Sequence, residues 1–267
     1  MTSKAARSPA GSCACGLPRR RALGLLAGAA GGGVLAGCDG GLPVDLVSDE
    51  QMRRLGLETW ETTLREIRPT ADRALQRDVE ARAGDLLVAA GEDPAAWEVA
   101  VLASEEANAF VVPGRKMGIF EGMVTTTGDR DQLAAVIGHE IGHQQADHAE
   151  ERLETALVTR TGLQIARTVL EAGDVAFAEE IAAVMGLGAE YGILLPYSRA
   201  HELEADRLGM EIMAKAGVDP AAAIALWRHM AELARDRPPA FLSTHPSPER
   251  RIAALRDHLD AARAAAR

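Results

Sequence analysis

His139-Glu140-Ile141-Gly142-His143 limits what this chain can be more than any other stretch of it. Around it Leu133, Val136, Ile137 and Ile141 recur at three- and four-residue spacing, which predicts an amphipathic helix. Asp129 and Gln132 stand at capping-box spacing at its start. Four residues advance a helix by about 400°, so His143 sits roughly 40° round from His139 and one turn along. Two imidazoles on one stripe can chelate a single ion. Glu140 projects roughly 100° from His139, beside that ion, where a carboxylate can hold and deprotonate a water. The rival reading, a solvated helix with two surface histidines, lacks this capped and apolar-faced setting.

Two histidines do not complete a catalytic zinc site, which uses three protein ligands and one open position. A second segment, Ser198-Arg-Ala-His-Glu-Leu-Glu-Ala-Asp206, reads as a helix closing near Gly217. Glu202 and Asp206 are one turn apart on the same face. Glu202 is the chosen third ligand, and Asp206 can accept the free ring N–H of a ligand histidine. Standing alone, that helix would read as an Arg/Glu-laced surface helix.

The formal net charge is −10, and residues 1–37 carry five basic groups and no acid, so the body is the more acidic part. That argues against a nucleic-acid partner held through phosphates. Arg19-Arg20-Arg21 precede an apolar run from Ala22 to Gly37 that is short for a bilayer span. The run ends Leu35-Ala36-Gly37-Cys38, which resembles the bacterial lipoprotein box. The expectation is a signal peptide over 1–37 and lipidation of Cys38, which anchors the chain to a membrane. A linker follows over 38–47, then a domain over 48–267, in the bacterial cell envelope and facing away from the cytoplasm. All three cysteines, Cys13, Cys15 and Cys38, precede that domain, so no disulfide staples it.

Ser48 and Gln51 open a helix through about Ile67, and a second helix is expected over Thr70 to Ala90. Trp97–Ala103, Asn108–Val112 and Lys116–Phe120 are strand candidates, with Thr125–Asp129 as the turn into the His139 helix. That helix is expected to continue past His148, which reads as a surface or supporting histidine. Leu157–Leu195 reads as two helices around Gly173-Asp174. Asp219-Pro220 opens a helix to about Arg235, the proline-rich loop 237–248 reads as non-helical, and Glu249 starts the last helix. The fold class expected is α+β, mostly α-helical, with a small sheet beside the active-site helix.

Four blocks together resemble one family. They are Asn108-Ala-Phe-Val-Val-Pro-Gly114, Leu133 to His143, Ser198 to Asp206, and Ser243-Thr-His-Pro-Ser-Pro-Glu-Arg-Arg-Ile252. The chain is similar over about Leu46 to Leu255 to the HtpX-like and CAAX-prenyl-protease-like metallopeptidases, the forty-eighth metallopeptidase family, of gluzincin type. Its layout most resembles the envelope lipoprotein members. The resemblance implies zinc held by His139, His143 and Glu202, with Glu140 as general base. It implies that Asn108, Ala109 and Phe110 form an edge to which extended polypeptide substrates add. His245 would fill the fourth zinc position in a latent enzyme, or donate a hydrogen bond to the oxyanion, or be a loop histidine. The expected function is a zinc metalloendopeptidase of misfolded or misassembled envelope proteins. The alternative is a proteolytically latent, zinc-bound chaperone or assembly lipoprotein.

Overall fold

The computed structural model of the protein describes residues 47–158, 197–236, 238–246 and 248–265. The expected signal peptide, Cys38 and nearly all of the segment around Gly173-Asp174 lie outside them.

Helix α1 (Asp49–Glu66) starts with the expected box: Ser48 accepts from the Gln51 N–H, and the Gln51 side chain accepts from the Ser48 N–H. Helix α2 (Arg73–Ala89) starts at Asp72 and not at Thr70. The reason is that Thr70 is used elsewhere: its N–H donates to the Val101 carbonyl at 2.8 Å, next to a bridge between Pro69 and Leu102.

Strands β1 (Glu98–Leu102), β2 (Ala109–Val112) and β3 (Lys116–Phe120) form one sheet in the order β1-β3-β2. β1 runs parallel to β3, and β2 and β3 make an antiparallel hairpin through Gly114, at φ 90°. The outer edge of β1 is closed. The Gln76 amide mimics a strand, donating to the Val99 carbonyl and accepting from the Val101 N–H, both at 2.8 Å. On β2, the Asn108 carbonyl accepts from the Phe120 N–H at 3.0 Å. Antiparallel alternation then turns the main chain of Asn108, Phe110 and Val112 toward β3, and that of Ala109 and Val111 to the outer edge.

A short helix α3 (Glu121–Thr127) replaces the expected turn at Thr125. Its threonines are reconciled to helix by bonding back, Thr125 to the Glu121 carbonyl and Thr127 to that of Val124, and Gly128 ends it at φ 70°.

Helix α4 (Arg130–Gln145) carries the paired histidines, and Asp129 accepts from the Asp131 and Gln132 N–H groups at its start. The amphipathic stripe is not what forms: Leu133 to His143 are buried without a gap. Helix α2, β2 and the two helices after residue 197 surround α4, leaving it no solvent face there. Nor does α4 run past His148. The chain turns at Asp147, at φ 53°, and restarts as α5 (His148–Val158).

Helix α6 (Arg199–Lys215) is capped by Ser198, and α7 (Ala221–Leu233) follows Asp219, whose carboxylate takes the Ala221 N–H. The proline-rich loop is not wholly extended: a one-turn helix α8 (Phe241–Thr244) forms because Phe241 is buried and its N–H is anchored on the Ala107 carbonyl. Helix α9 (Pro248–Ala264) closes the described chain. The main core joins α2, the sheet, α4, α6, α7 and α9; a smaller cluster of Trp60, Leu102, Phe110, Val112 and Phe120 lies under α1.

The crossing of α4 and α6 places the site. A Cβ on Gly142 would lie 2.7 Å from the Ala205 carbonyl oxygen, and one on Gly209 would lie 3.0 Å from the Gly138 carbonyl carbon. Only side chains this small let the two backbones approach, and that approach delivers Glu202 and Asp206 to the imidazoles.

Candidate metal centre

His139, His143, Glu202 and His245 converge, all buried, with one ligand atom from each lying within 4.8 Å of the others. His139 Nε2 is 3.0 Å from His143 Nε2 and 3.2 Å from His245 Nδ1. Glu202 Oε1 is 3.0 Å from His245 Nδ1 and 3.4 Å from His143 Nε2. Four ligands on a tetrahedral zinc ion at ~2.0–2.1 Å lie roughly 3.3 Å from each other, so this donor set fits zinc. The chemistry fits as well. His139 Nδ1 lies 3.1 Å from Asp206 Oδ1, which can accept its ring proton and leave a lone pair on Nε2, while Arg251 Nη2 lies 3.0 and 3.2 Å from the two ring nitrogens. Ring nitrogens this close either share a proton or hold a cation between them.

Burial pushes the His139 imidazole down to about 4, with the Arg251 charge adding and Asp206 and Glu202 opposing. Burial also holds His143 well below the usual histidine range. Both rings are therefore neutral near pH 7, the form that ligates metal. Burial alone would raise Glu202 and Asp206, but Arg251 holds both carboxyls below their usual range.

Glu140 sits beside the donors. Its Oε1 is 3.6 Å from His245 Nε2 and has no hydrogen-bond partner among the described residues. Burial raises its carboxyl to about 7, with His245 opposing and Glu202 adding. The Val111 N–H, on the outer edge of β2, faces this carboxylate. The open edge and the base are thus adjacent. Of the three residues expected to meet substrate, Ala109 alone turns its main chain outward, and its N–H is taken by the Asn108 side chain at 3.0 Å. The Phe110 ring packs over Gly118 between Trp60 and Phe120, and its main chain faces β3. Val111, not singled out from the sequence, is the second outward residue.

Sequence reasoning also passed over Arg251. Its guanidinium donates to both oxygens of Asp206, at 2.6 and 2.7 Å, and to Glu202, and lies 3.4 Å over the Trp227 ring. It lies inside the fourth sequence block, which was the one available signal. Tyr197 stacks on His143 at 4.0 Å, with the Arg152 guanidinium 4.4 Å from its ring.

A histidine pair one helical turn apart, a glutamate from a second helix and a free carboxylate beside them define the gluzincin class of zinc metallopeptidase. The sequence over residues 69–259 matches the model of Peptidase family M48, and the chain belongs to that family. It is 36% identical over 176 residues to the mitochondrial metalloendopeptidase OMA1 of Schizosaccharomyces pombe, covering 65% of this chain and 50% of the relative. It is 34% identical over 174 residues to the mitochondrial metalloendopeptidase OMA1 of Bos taurus, covering 61% and 32%. It is 30% identical over 164 residues to the beta-barrel assembly-enhancing protease of Escherichia coli, covering 58% and 32%. The chain spans between a third and a half of the length of these relatives. The described domain is a zinc metalloprotease domain, mostly helical with a small sheet, as the sequence implied. The expected bacterial-envelope location is corrected: relatives named as mitochondrial match at higher identity than the bacterial one.

Proposed function

We propose that this chain is a zinc metalloendopeptidase that cuts polypeptide held in extended form along the outer edge of β2. The observation that carries the reading is the convergence of His139, His143 and Glu202, with Glu140 beside them, its Oε1 without a hydrogen-bond partner among the described residues. These three would hold the ion; when bound, zinc supplies Lewis acidity to the scissile carbonyl and to water. Glu140 holds the attacking water, takes its proton and delivers it to the leaving amine. The outward main chain of Ala109 and Val111 would align the substrate without reading its sequence, once Asn108 releases the Ala109 N–H and Glu140 the Val111 N–H. An edge of this kind suits unfolded or misassembled proteins as substrates. His245, with Nδ1 among the donors, would close the position that the water needs, so this arrangement is a latent form that opens when His245 leaves.

Casein cleavage and zinc content of three proteins test the assignment. Glu140→Gln should keep one zinc and lose activity by about 10²–10⁴-fold; full activity would remove Glu140 from the chemistry. His245→Ala should raise cleavage if the histidine closes the site, whereas an oxyanion donor would lower it. The placement of His245 also favours a second reading, a zinc-bound chaperone that does not cleave. Failure of both the wild-type and His245→Ala proteins to cut any substrate would favour that one.

The basic, apolar segment ending at Cys38 would tether the domain to a membrane through a lipid on Cys38. Among the described residues, no helix is long and apolar enough to cross a membrane. Cys38→Ser should move the protein to the soluble fraction; unchanged partitioning would remove the lipid from the account.

A further inference from the structure

His143 faces two ways. Its Nε2 points to the donor cluster, 3.0 Å from His139 Nε2. Its Nδ1 points away and lies 2.9 Å from His148 Nδ1. Two ring nitrogens at that distance share one proton. If His143 keeps its Nε2 lone pair for the ion, its proton is on Nδ1 and it donates to His148. His148 must then carry its own proton on Nε2. That nitrogen is buried without a hydrogen-bond partner among the described residues, and the half-exposed Glu204 carboxylate lies 3.5 Å away. The His148 ring is 1% exposed and is clamped in plane by His201, stacked at 4.4 Å, whose Nε2 is 3.0 Å from Glu151.

On an unbroken helix His148 would lie roughly 140° round from His143 and could not reach it this way. The left-handed turn at Asp147 returns it to its partner. The two ligand histidines are therefore supported differently. His139 donates directly to a buried carboxylate, Asp206. His143 donates to a neutral ring with a carboxylate behind it.

We propose that His148 is a positioning residue that accepts the His143 Nδ1 proton, fixing the tautomer and ring plane that present Nε2 to zinc, with Glu204 polarising the relay from the surface. This rests on His143 being a zinc ligand, and it makes His148 a determinant of zinc affinity without its touching the ion. Losing such a supporting hydrogen bond weakens metal binding by about 10–100-fold.

The test combines a spectrum and a titration. In the zinc-loaded wild-type protein, long-range ¹H–¹⁵N correlation of the histidine rings should show His148 protonated at Nε2 and bare at Nδ1; the opposite tautomer overturns the proposal. Chelator competition should show His148→Leu binding zinc about 10–100-fold more weakly, while His148→Gln, which keeps an acceptor oxygen, stays close to wild type. Wild-type affinity in the leucine variant overturns the relay. So does equal loss in both variants when their zinc-free forms melt like wild type, because a packing role would then suffice. His143→Ala separates the two layers. Zinc retained in that variant sinks the ligand assignment itself; zinc lost there but kept in His148→Leu sinks the relay alone.

Discussion

Arg251 sets the charge balance of the centre. It is 1% exposed and touches two buried carboxylates, the imidazole of His139 and the Trp227 face. Removing one partner from a buried ionic cluster is costly because the remaining charges lose their compensation. Arg251→Met should therefore lower the stability of the zinc-free protein by about 3–5 kcal/mol, read from urea unfolding. Arg251→Lys should not rescue it, since an ammonium cannot bond a carboxylate in a fork while lying flat on an indole. The histidines were legible from helical spacing, and Glu202 from the site's need for a third ligand together with the family resemblance. Arg251 was not. It sits on a helix whose Ala/Arg composition reads as solvated, and its burial arises from contacts with three helices earlier in the chain, through His139, Asp206 and Trp227.

The elements explain why those side chains can meet. The crossing of α4 and α6 has no room for a methyl group at Gly142, where the obstacle is the Ala205 carbonyl at 2.7 Å. Gly142→Ala should destabilise the fold by about 1–3 kcal/mol, the range for overpacking, and weaken zinc binding by spreading the two helices. Gly138→Ala, whose new Cβ would meet the Gly209 carbonyl oxygen at 3.1 Å, should do less of both. Thermal melts and chelator competition on the two variants check that order. Most helices and all three strands followed from caps, periodicity and turn residues. The misses have physical causes. The break at Asp147 carries neither Gly nor Pro, so nothing local announces a left-handed residue. Helix α3 has a run of threonines that favours turn or strand until their hydroxyls bond backward. Helix α8 forms between prolines because Phe241 has a buried slot to fill. The continuous burial of α4 was hidden because its polar face is polar for chemistry and not for solvent.

At the scale of the whole molecule, the centre joins parts distant in sequence: the strand edge at Val111, α4, α6, the turn before α9, and α9 itself. An ion held across them should link their stabilities. At zinc a hundredfold above its Kd, binding adds about 2.7 kcal/mol. Stripping the metal with a chelator should lower the melting temperature by roughly 5–10 °C, and restoring zinc should reverse the loss. A shift of under a degree in a protein shown to contain zinc would mean that the ion does not tie these elements together. The sheet contributes a separate constraint. With Gln76 occupying β1, the outer edge of β2 is the edge without a paired strand among the described residues, and it lies beside Glu140.

Arg251 lies close to the end of the described chain, and without it the carboxylates of Glu202 and Asp206 lose the guanidinium that bonds them both. On a ribosome, α4 and α6 emerge long before α9. A growing chain therefore exposes its histidines and glutamates without the group that makes their burial tolerable. The arrangement of carboxylates and imidazoles is therefore complete only once α9 has been synthesised and docked against α6.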